Sequence, residues 1–284
     1  MGTWVWTDGA VGPAADARVA ALDHGVTVGD GVFETVKVID GTPFALTRHL
    51  ARLRGSAELV GLTLPGADTS LRAACTAAIE AAIVDPDNAT AGVARLRITV
   101  TAGPGPLGSD RGARAPTLIV AAGPGTTWPA TAQVATVPWV RNERSAVAGA
   151  KTTSYAENVV ALAAAHQRGA GEAILANTMG VLAEGTGSNV FLAVDGRLCT
   201  PSLATGCLAG ITRALVMELV PVAERDDLTL DDLRTADEAF LTSSTRDVHP
   251  IARVDGVLLP AAPGPLSSAA QRAFAALQAR DLDP

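Results

Sequence analysis

Cysteine, aromatic rings and positive charge are all scarce in this chain, and each shortage excludes something. The 284 residues contain three cysteines, Cys75, Cys199 and Cys207. They are odd in number and have no Cys-x-x-Cys spacing, which argues against both a disulfide framework and a zinc site. No metal site is expected, and a reducing cytoplasm fits best. The net charge of −7 offers no general attraction to nucleic acid or to an anionic membrane. Small molecules are therefore the expected partners. Uninterrupted apolar runs are short: residues 159–165 and 118–122 fall far below the roughly 20 needed to cross a bilayer. The opening Met1-Gly2-Thr3-Trp4-Val5-Trp6 carries no basic leader or apolar core, so no secretory signal is expected. Trp6 also stands where a myristoylation motif requires Ser or Thr. No repeat period of about 20 to 50 residues is visible.

What is abundant is alanine-rich apolar sequence, with hydrophobic residues at 48 % and charged residues at 18 %, the composition of a globular protein with a full core. Alternation and turn residues predict strands over 3–7 and 32–39, with turns at Asp8-Gly9 and Asp40-Gly41 that make two hairpins. Leu50, Leu53, Ala57 and Val60 recur at helical spacing within 47–62, and a second helix covers about 68–83. Strands at 93–101 and 116–122 flank a Gly/Pro loop. The breaker-rich stretch 123–131 is taken as a linker between an N-terminal α/β domain, 1–122, and a C-terminal domain, 132–284. Beyond it the pattern predicts a strand at 133–140, helices at 154–168, 212–220, near 230 and at 267–280, and strands at 173–176, 190–194 and 238–242.

Three local features bear on chemistry. Lys151 lies between small residues and a Thr-Thr pair, with no acidic neighbour until Glu157. A lysine desolvated in this way becomes nucleophilic, although most lysines simply face solvent. Glu184 sits in Glu184-Gly185-Thr186-Gly187-Ser188-Asn189-Val190-Phe191, where glycines let a flat ring approach closely; an ordinary surface turn reads the same way. Gly210-Ile211-Thr212-Arg213 opens a helix whose amides form an anion nest, or a plain N-cap.

Taken together, these segments resemble the class IV aminotransferase family, the fold type IV enzymes of pyridoxal 5'-phosphate. The match is carried by Gly149-Ala150-Lys151-Thr152-Thr153-Ser154-Tyr155, the Glu184 motif about 33 residues on, Ala209-Gly210-Ile211-Thr212-Arg213, and Phe240-Leu241-Thr242-Ser243-Ser244-Thr245-Arg246-Asp247. Gly29-Asp30-Gly31-Val32-Phe33-Glu34-Thr35 and His49-Leu50-Ala51-Arg52-Leu53 agree with it, so the resemblance runs from about residue 22 to 251. It implies a two-domain α/β (α+β) fold with the cofactor at the domain interface, a homodimer, and transfer of an amino group between an amino acid and a 2-oxo acid.

Residue by residue, Lys151 resembles the Schiff-base lysine that also moves the proton, and Glu184 the acid that keeps the pyridine nitrogen protonated. Arg52 resembles the phosphate-binding arginine, with the amides of Ile211 and Thr212 as further phosphate donors. The motifs also place Ser188, Asn189, Ser243 and Ser244 at the cofactor. Ser244 and Thr245 fall in the turn that offers backbone N–H groups to a substrate carboxylate or phosphate. Tyr155 either reaches the cofactor's O3′ or is a packed tyrosine at a helix start.

On the substrate side, Phe33, Arg95 and Arg97 are the candidates. Thr101-Ala102-Gly103 lacks the arginine by which D-amino-acid aminotransferases hold a carboxylate, and Val28 stands where branched-chain enzymes have a tyrosine. With one tyrosine and five phenylalanines, the usual aromatic branched-chain pocket cannot be assembled. Arg95 and Arg97 suggest a more cationic pocket suited to a dicarboxylate, which keeps an aminodeoxychorismate lyase releasing p-aminobenzoate as the alternative; equally, only one of the two arginines need reach the pocket. A non-catalytic binding protein on the same fold is the remote alternative.

Overall fold

A computed structural model describes residues 2–89 and 92–284; residues 1, 90 and 91, which fall within the expected N-terminal domain, lie outside the described residues. The chain forms two compact units. The first comprises the described residues up to Thr126 together with Ala150–Tyr155 and Asp281–Pro284, and the second comprises Thr127–Gly149 and Ala156–Arg280.

The first unit contains β1 (Trp4–Thr7), β2 (Ala10–Pro13), α1 (His24–Thr27), β3 (Gly31–Ile39), β4 (Thr42–Pro43), α2 (Leu46–Leu59), α3 (Asp68–Ile83), β5 (Arg95–Thr101) and β6 (Thr117–Gly123). Its six strands run in the order β2-β1-β6-β5-β3-β4. Both expected hairpins form, and Asp8 and Asp40, like the glycines after them, take positive φ at the turns, as two-residue hairpin loops require. Strict alternation sets the faces. Val32, Val36 and Val38 of β3, Leu96, Ile98 and Val100 of β5, and Leu118, Val120 and Ala122 of β6 enter one core with Leu50, Leu53 and Ala57 of α2 and Leu71, Ala78 and Ile79 of α3. Glu34 belongs to that inward face by the same alternation and has no solvent exposure.

The second unit contains β7 (Ala132–Arg141), α4 (Ala156–Gln167), β8 (Glu172–Asn177), β9 (Leu182–Gly185), β10 (Asn189–Val194), β11 (Arg197–Pro201), α5 (Ile211–Leu219), β12 (Ala223–Arg225), α6 (Leu230–Thr235), β13 (Ala239–Ser243), β14 (Asp247–Val254), β15 (Val257–Leu258) and α7 (Pro265–Arg280). Its sheet runs β12-β11-β10-β13-β14-β7-β8-β9, with β15 on β14. β8 and β13 are buried almost throughout, with apolar centres at residues 173–176 and 239–241.

One expectation is corrected. Lys151, assigned by sequence to the C-terminal domain, lies in the first unit, because its segment is hydrogen-bonded along the start of β3. Phe33 N–H donates to the Lys151 carbonyl at 3.0 Å and Thr153 N–H to the Gly31 carbonyl at 2.8 Å, with Thr152 bridging Val32 between them. Among the described residues no helix is long and apolar enough to cross a membrane.

Candidate active site

Helix α2 organises the polar part of the first unit. Its apolar row packs on the sheet, and beside that row His49, Arg52 and Ser56 follow one another at spacings of three and four, which puts them on one stripe of the helix. His49 and Arg52 meet Glu34. Arg52 donates from Nε to Glu34 Oε1 at 2.8 Å and from Nη2 to Oε2 at 2.6 Å, a side-on bidentate pair. His49 Nδ1 lies 2.7 Å from Oε2. Since an ionised carboxylate only accepts, that nitrogen carries the proton. Burial by itself would raise the Glu34 carboxyl, but the Arg52 charge and the hydrogen bonds from Arg52 and His49 more than reverse this and hold it at about 2. His49 is pushed below its ordinary value, chiefly by burial.

Ser56, the next residue of the stripe, accepts a hydrogen bond from Lys151 N–H at 3.0 Å. The same helix therefore positions Arg52 and pins the backbone of Lys151. The lysine amine lies 3.5 Å from the Tyr155 hydroxyl and 4.5 Å from the centre of the Phe33 ring. Tyr155 meets Phe33 edge-on, with centroids 5.2 Å apart. The Arg97 guanidinium lies over the same ring at 3.7 Å. Phe33, Arg97, Lys151 and Tyr155 thus form one cluster. Arg95 does not join it: on the same strand face as Arg97, it donates to Thr126 Oγ1 at 2.8 Å, so one of the two expected arginines lies at the ring and the other is turned away.

In the second unit Glu184, near the end of β9, is buried. Its Oε2 accepts from Leu208 N–H at 2.9 Å, and Arg141 Nε lies 3.0 Å from Oε1. Arg141 in turn donates to Asn158 Oδ1 at 2.7 Å. Asn189 holds the other side of the same residue, donating to the Leu208 carbonyl at 2.9 Å. Glu184 and Asn189 thereby clamp the segment leading into α5, whose N-cap Gly210 makes no side-chain cap. A Cβ at Gly210 would collide with the end of the Asn189 side chain, so any other residue there would displace the Asn189 amide that holds the Leu208 carbonyl. Ile211 and Thr212, both buried, form the first turn.

Ser188, Ser243 and Thr245 are held by a network that sequence reasoning missed. Ser188 Oγ donates to Glu172 Oε2 at 3.3 Å, and Thr186 donates to Glu172 from both its amide and its hydroxyl. Arg246 pairs with Glu172 at 3.2 Å, donates to the Gly171 carbonyl at 3.0 Å, and lies over the Trp128 ring at 3.7 Å. Trp128 Nε1 donates to the Thr245 carbonyl at 2.9 Å, and Ser243 Oγ accepts from Arg246 N–H at 3.3 Å. Ser188 and Ser243 therefore spend these hydroxyl contacts on the protein itself. Among the described residues no group of His, Cys, Asp and Glu is placed to hold a metal ion.

This architecture has known counterparts. The family model described as "Amino-transferase class IV" matches residues 31–254. The chain belongs to the class IV aminotransferase family. A putative branched-chain-amino-acid aminotransferase of Methanocaldococcus jannaschii is 34 % identical to this aminotransferase, over 85 % of this chain and 84 % of its own length. A D-alanine aminotransferase of Listeria innocua is 33 % identical over the same shares, 85 % and 84 %. Among solved structures, the T.th. branched-chain amino acid aminotransferase complexed with N-(5'-phosphopyridoxyl)-L-glutamate superposes with a TM-score of 0.84 at 26 % identity, covering 99 % of this chain and 96 % of that one. This aminotransferase is thus an enzyme of fold type IV, and the lyase alternative is not favoured.

Of the residues that sequence reasoning passed over, Glu34 and His49 had a signal. A glutamate at an inward position between Val32 and Val36 must find a cation, and His49-Leu50-Ala51-Arg52 offers a donor and a cation three residues apart. Glu172, Arg246 and Trp128 come from distant segments and have no local signature.

Proposed function

We propose that this aminotransferase moves an amino group between an amino acid and a 2-oxo acid with pyridoxal 5'-phosphate held on Lys151. The observation that carries the reading is the setting of Lys151: its backbone is tied to Ser56, one helical turn from Arg52, and its amine is laid against Phe33 and Tyr155. The residues fit the cofactor. Arg52 is an anchored guanidinium whose side chain keeps 14 % exposure, suited to a phosphate. In the second unit the α5 N-terminus has no side-chain cap, and the amides of Ile211 and Thr212 there are suited to an anion. Glu184, a buried carboxylate held in place by Leu208 N–H and Arg141, suits a protonated ring nitrogen.

When bound, pyridoxal phosphate supplies the carbonyl that receives the amino group and a ring that spreads the charge left at the substrate Cα. Lys151, which would hold the cofactor's aldehyde, would take the substrate Cα proton on Nζ, and the Tyr155 hydroxyl, 3.5 Å away, would orient that amine. Glu184 would keep a pyridine nitrogen protonated. The backbone N–H groups of Ser244 and Thr245 meet the substrate carboxylate, while Arg97 over Phe33 meets an acidic side chain. A homodimer and a cytoplasmic location complete the reading.

Purified protein titrated with pyridoxal phosphate is expected to develop a visible absorption band that Lys151→Ala abolishes. L- and D-glutamate and alanine, offered separately, are expected to bleach it with one hand only. A band that survives Lys151→Ala rejects the lysine assignment. Release of p-aminobenzoate with no bleaching by any amino acid rejects the transaminase assignment.

A further inference from the structure

Beneath Arg52 lies a carboxylate with no solvent exposure, an expensive group to bury, and the phosphate reading does not by itself require it. The pair Glu34–Arg52 has no net charge, so Glu34 offsets the attraction that a phosphate would feel. What it provides instead is geometry. Side-on acceptance at 2.8 and 2.6 Å fixes the plane of the guanidinium and directs its Nη1–Nη2 edge away from Glu34. His49, 2.7 Å from Oε2, in turn prevents the carboxylate from rotating about its own bond. His49 and Arg52 share the α2 stripe with Ser56, which holds Lys151 N–H, so the direction of the guanidinium edge is set in the same frame as the lysine.

The geometry points to Glu34 and His49 as positioning residues that aim Arg52 at the cofactor phosphate, orientation outweighing the charge they cancel. This rests on the pyridoxal-phosphate reading and deepens it. The two contributions have opposite signs and can therefore be separated. Glu34→Gln removes a negative charge beside Arg52, and Coulomb attraction alone would then bind phosphate more tightly. It also puts an amide N–H against a guanidinium N–H, which frees the fork to turn.

The experiment is a pair of binding titrations on the full apo-protein, one with pyridoxal 5'-phosphate and one with pyridoxal, which lacks the phosphate, followed by absorbance and calorimetry. For Glu34→Gln the expected result is a loss of pyridoxal-phosphate affinity of about tenfold or more, as for other outer-shell partners, with pyridoxal affinity within about twofold. On an Arg52→Ala background the Glu34→Gln loss is expected to vanish. His49→Asn, which keeps an N–H donor for Oε2, is expected to remain near wild type, and His49→Leu to reproduce part of the phosphate-specific loss. If Glu34→Gln does not fold, the His49 pair carries the test by the same criterion.

Tighter or unchanged pyridoxal-phosphate binding, equal losses for both ligands, or undiminished loss without Arg52 overturns the inference while leaving the cofactor reading intact. A wild-type protein that binds neither ligand overturns the cofactor reading and this inference with it.

Discussion

Glu34 in the first unit and Glu172 in the second are both buried close to candidate residues, and they are used in opposite ways. In the first unit Glu34 takes its partners from one helix, His49 and Arg52, and fixes the plane of a guanidinium. In the second, Glu172 gathers partners from separated loops, Thr186, Ser188 and Arg246. There the cation itself is the fastener, clamped between Glu172 and Trp128 so that the 243–246 turn keeps its shape. A carboxylate answered by one helix tunes a side chain. One answered by two loops holds backbone, and the cost of losing it is spread over several partners.

The largest effect that would break this contrast is expected from Glu34→Leu. It leaves Arg52 and the buried His49 without their acceptor, and chemical denaturation should show a loss of about 3 kcal/mol or more. Adding Arg52→Leu should recover a good part of that, because the uncompensated charge goes with it. A double variant no more stable than the single would mean that Glu34 is not held by its ion pair.

Acid should expose the same cluster. Glu34 lies at about 2, below its ordinary 4.5, so the unfolded chain takes up its proton first. Its contribution is complete above 4.5 and is lost as pH falls from there through 2, an effect on the order of 3 kcal/mol at most. His49 lies below its ordinary 6.5, so the unfolded chain again binds the proton more readily, and stability starts to decline once pH falls below 6.5. Urea midpoints measured from pH 7 to 2 should show both declines in the wild type, with the lower one missing from Glu34→Leu.

The sequence exposes the parts of this design that are periodic or local. Alternation in Leu96, Ile98 and Val100 against Arg95, Arg97 and Thr99 sets the two faces of β5, and the Leu50, Leu53, Ala57 row sets the buried face of α2. Lys151, Glu184 and Arg52 stand out because each sits in a short motif. Pairing at a distance is what stays hidden. Nothing near Lys151 announces that residues 150–155 zip onto β3, since that hydrogen bonding joins positions far apart in the chain. β9, β11 and β12, at three to five residues, are too short for a period to emerge. The Pro250-containing strand β14 reads locally as a breaker, and Trp128 lies in a stretch that sequence treats only as a linker.

A smaller effect is expected where the loop network is loosened at its rim. Trp128→Leu removes the ring under Arg246 and the hydrogen bond to the Thr245 carbonyl, together about 1 to 2 kcal/mol. Because the lost bond fixes the turn and not Lys151, steady-state kinetics should show a raised KM for the amino-acid substrate with kcat little changed. A fall in kcat at constant KM would place Trp128 nearer the proton transfer than the turn.

The smallest effect sharpens the comparison most. The motif assigns Ser188 to the cofactor, yet its hydroxyl donates to Glu172 at 3.3 Å, a long bond on a carboxylate that keeps Thr186 and Arg246 as partners. If Ser188 serves the loop network, Ser188→Ala should cost about 0.5 to 1 kcal/mol of stability and leave pyridoxal-phosphate affinity unchanged. If it serves the cofactor, the affinity should fall while stability holds. One thermal melt and one titration on the same variant decide which of the two uses of a buried glutamate this serine belongs to.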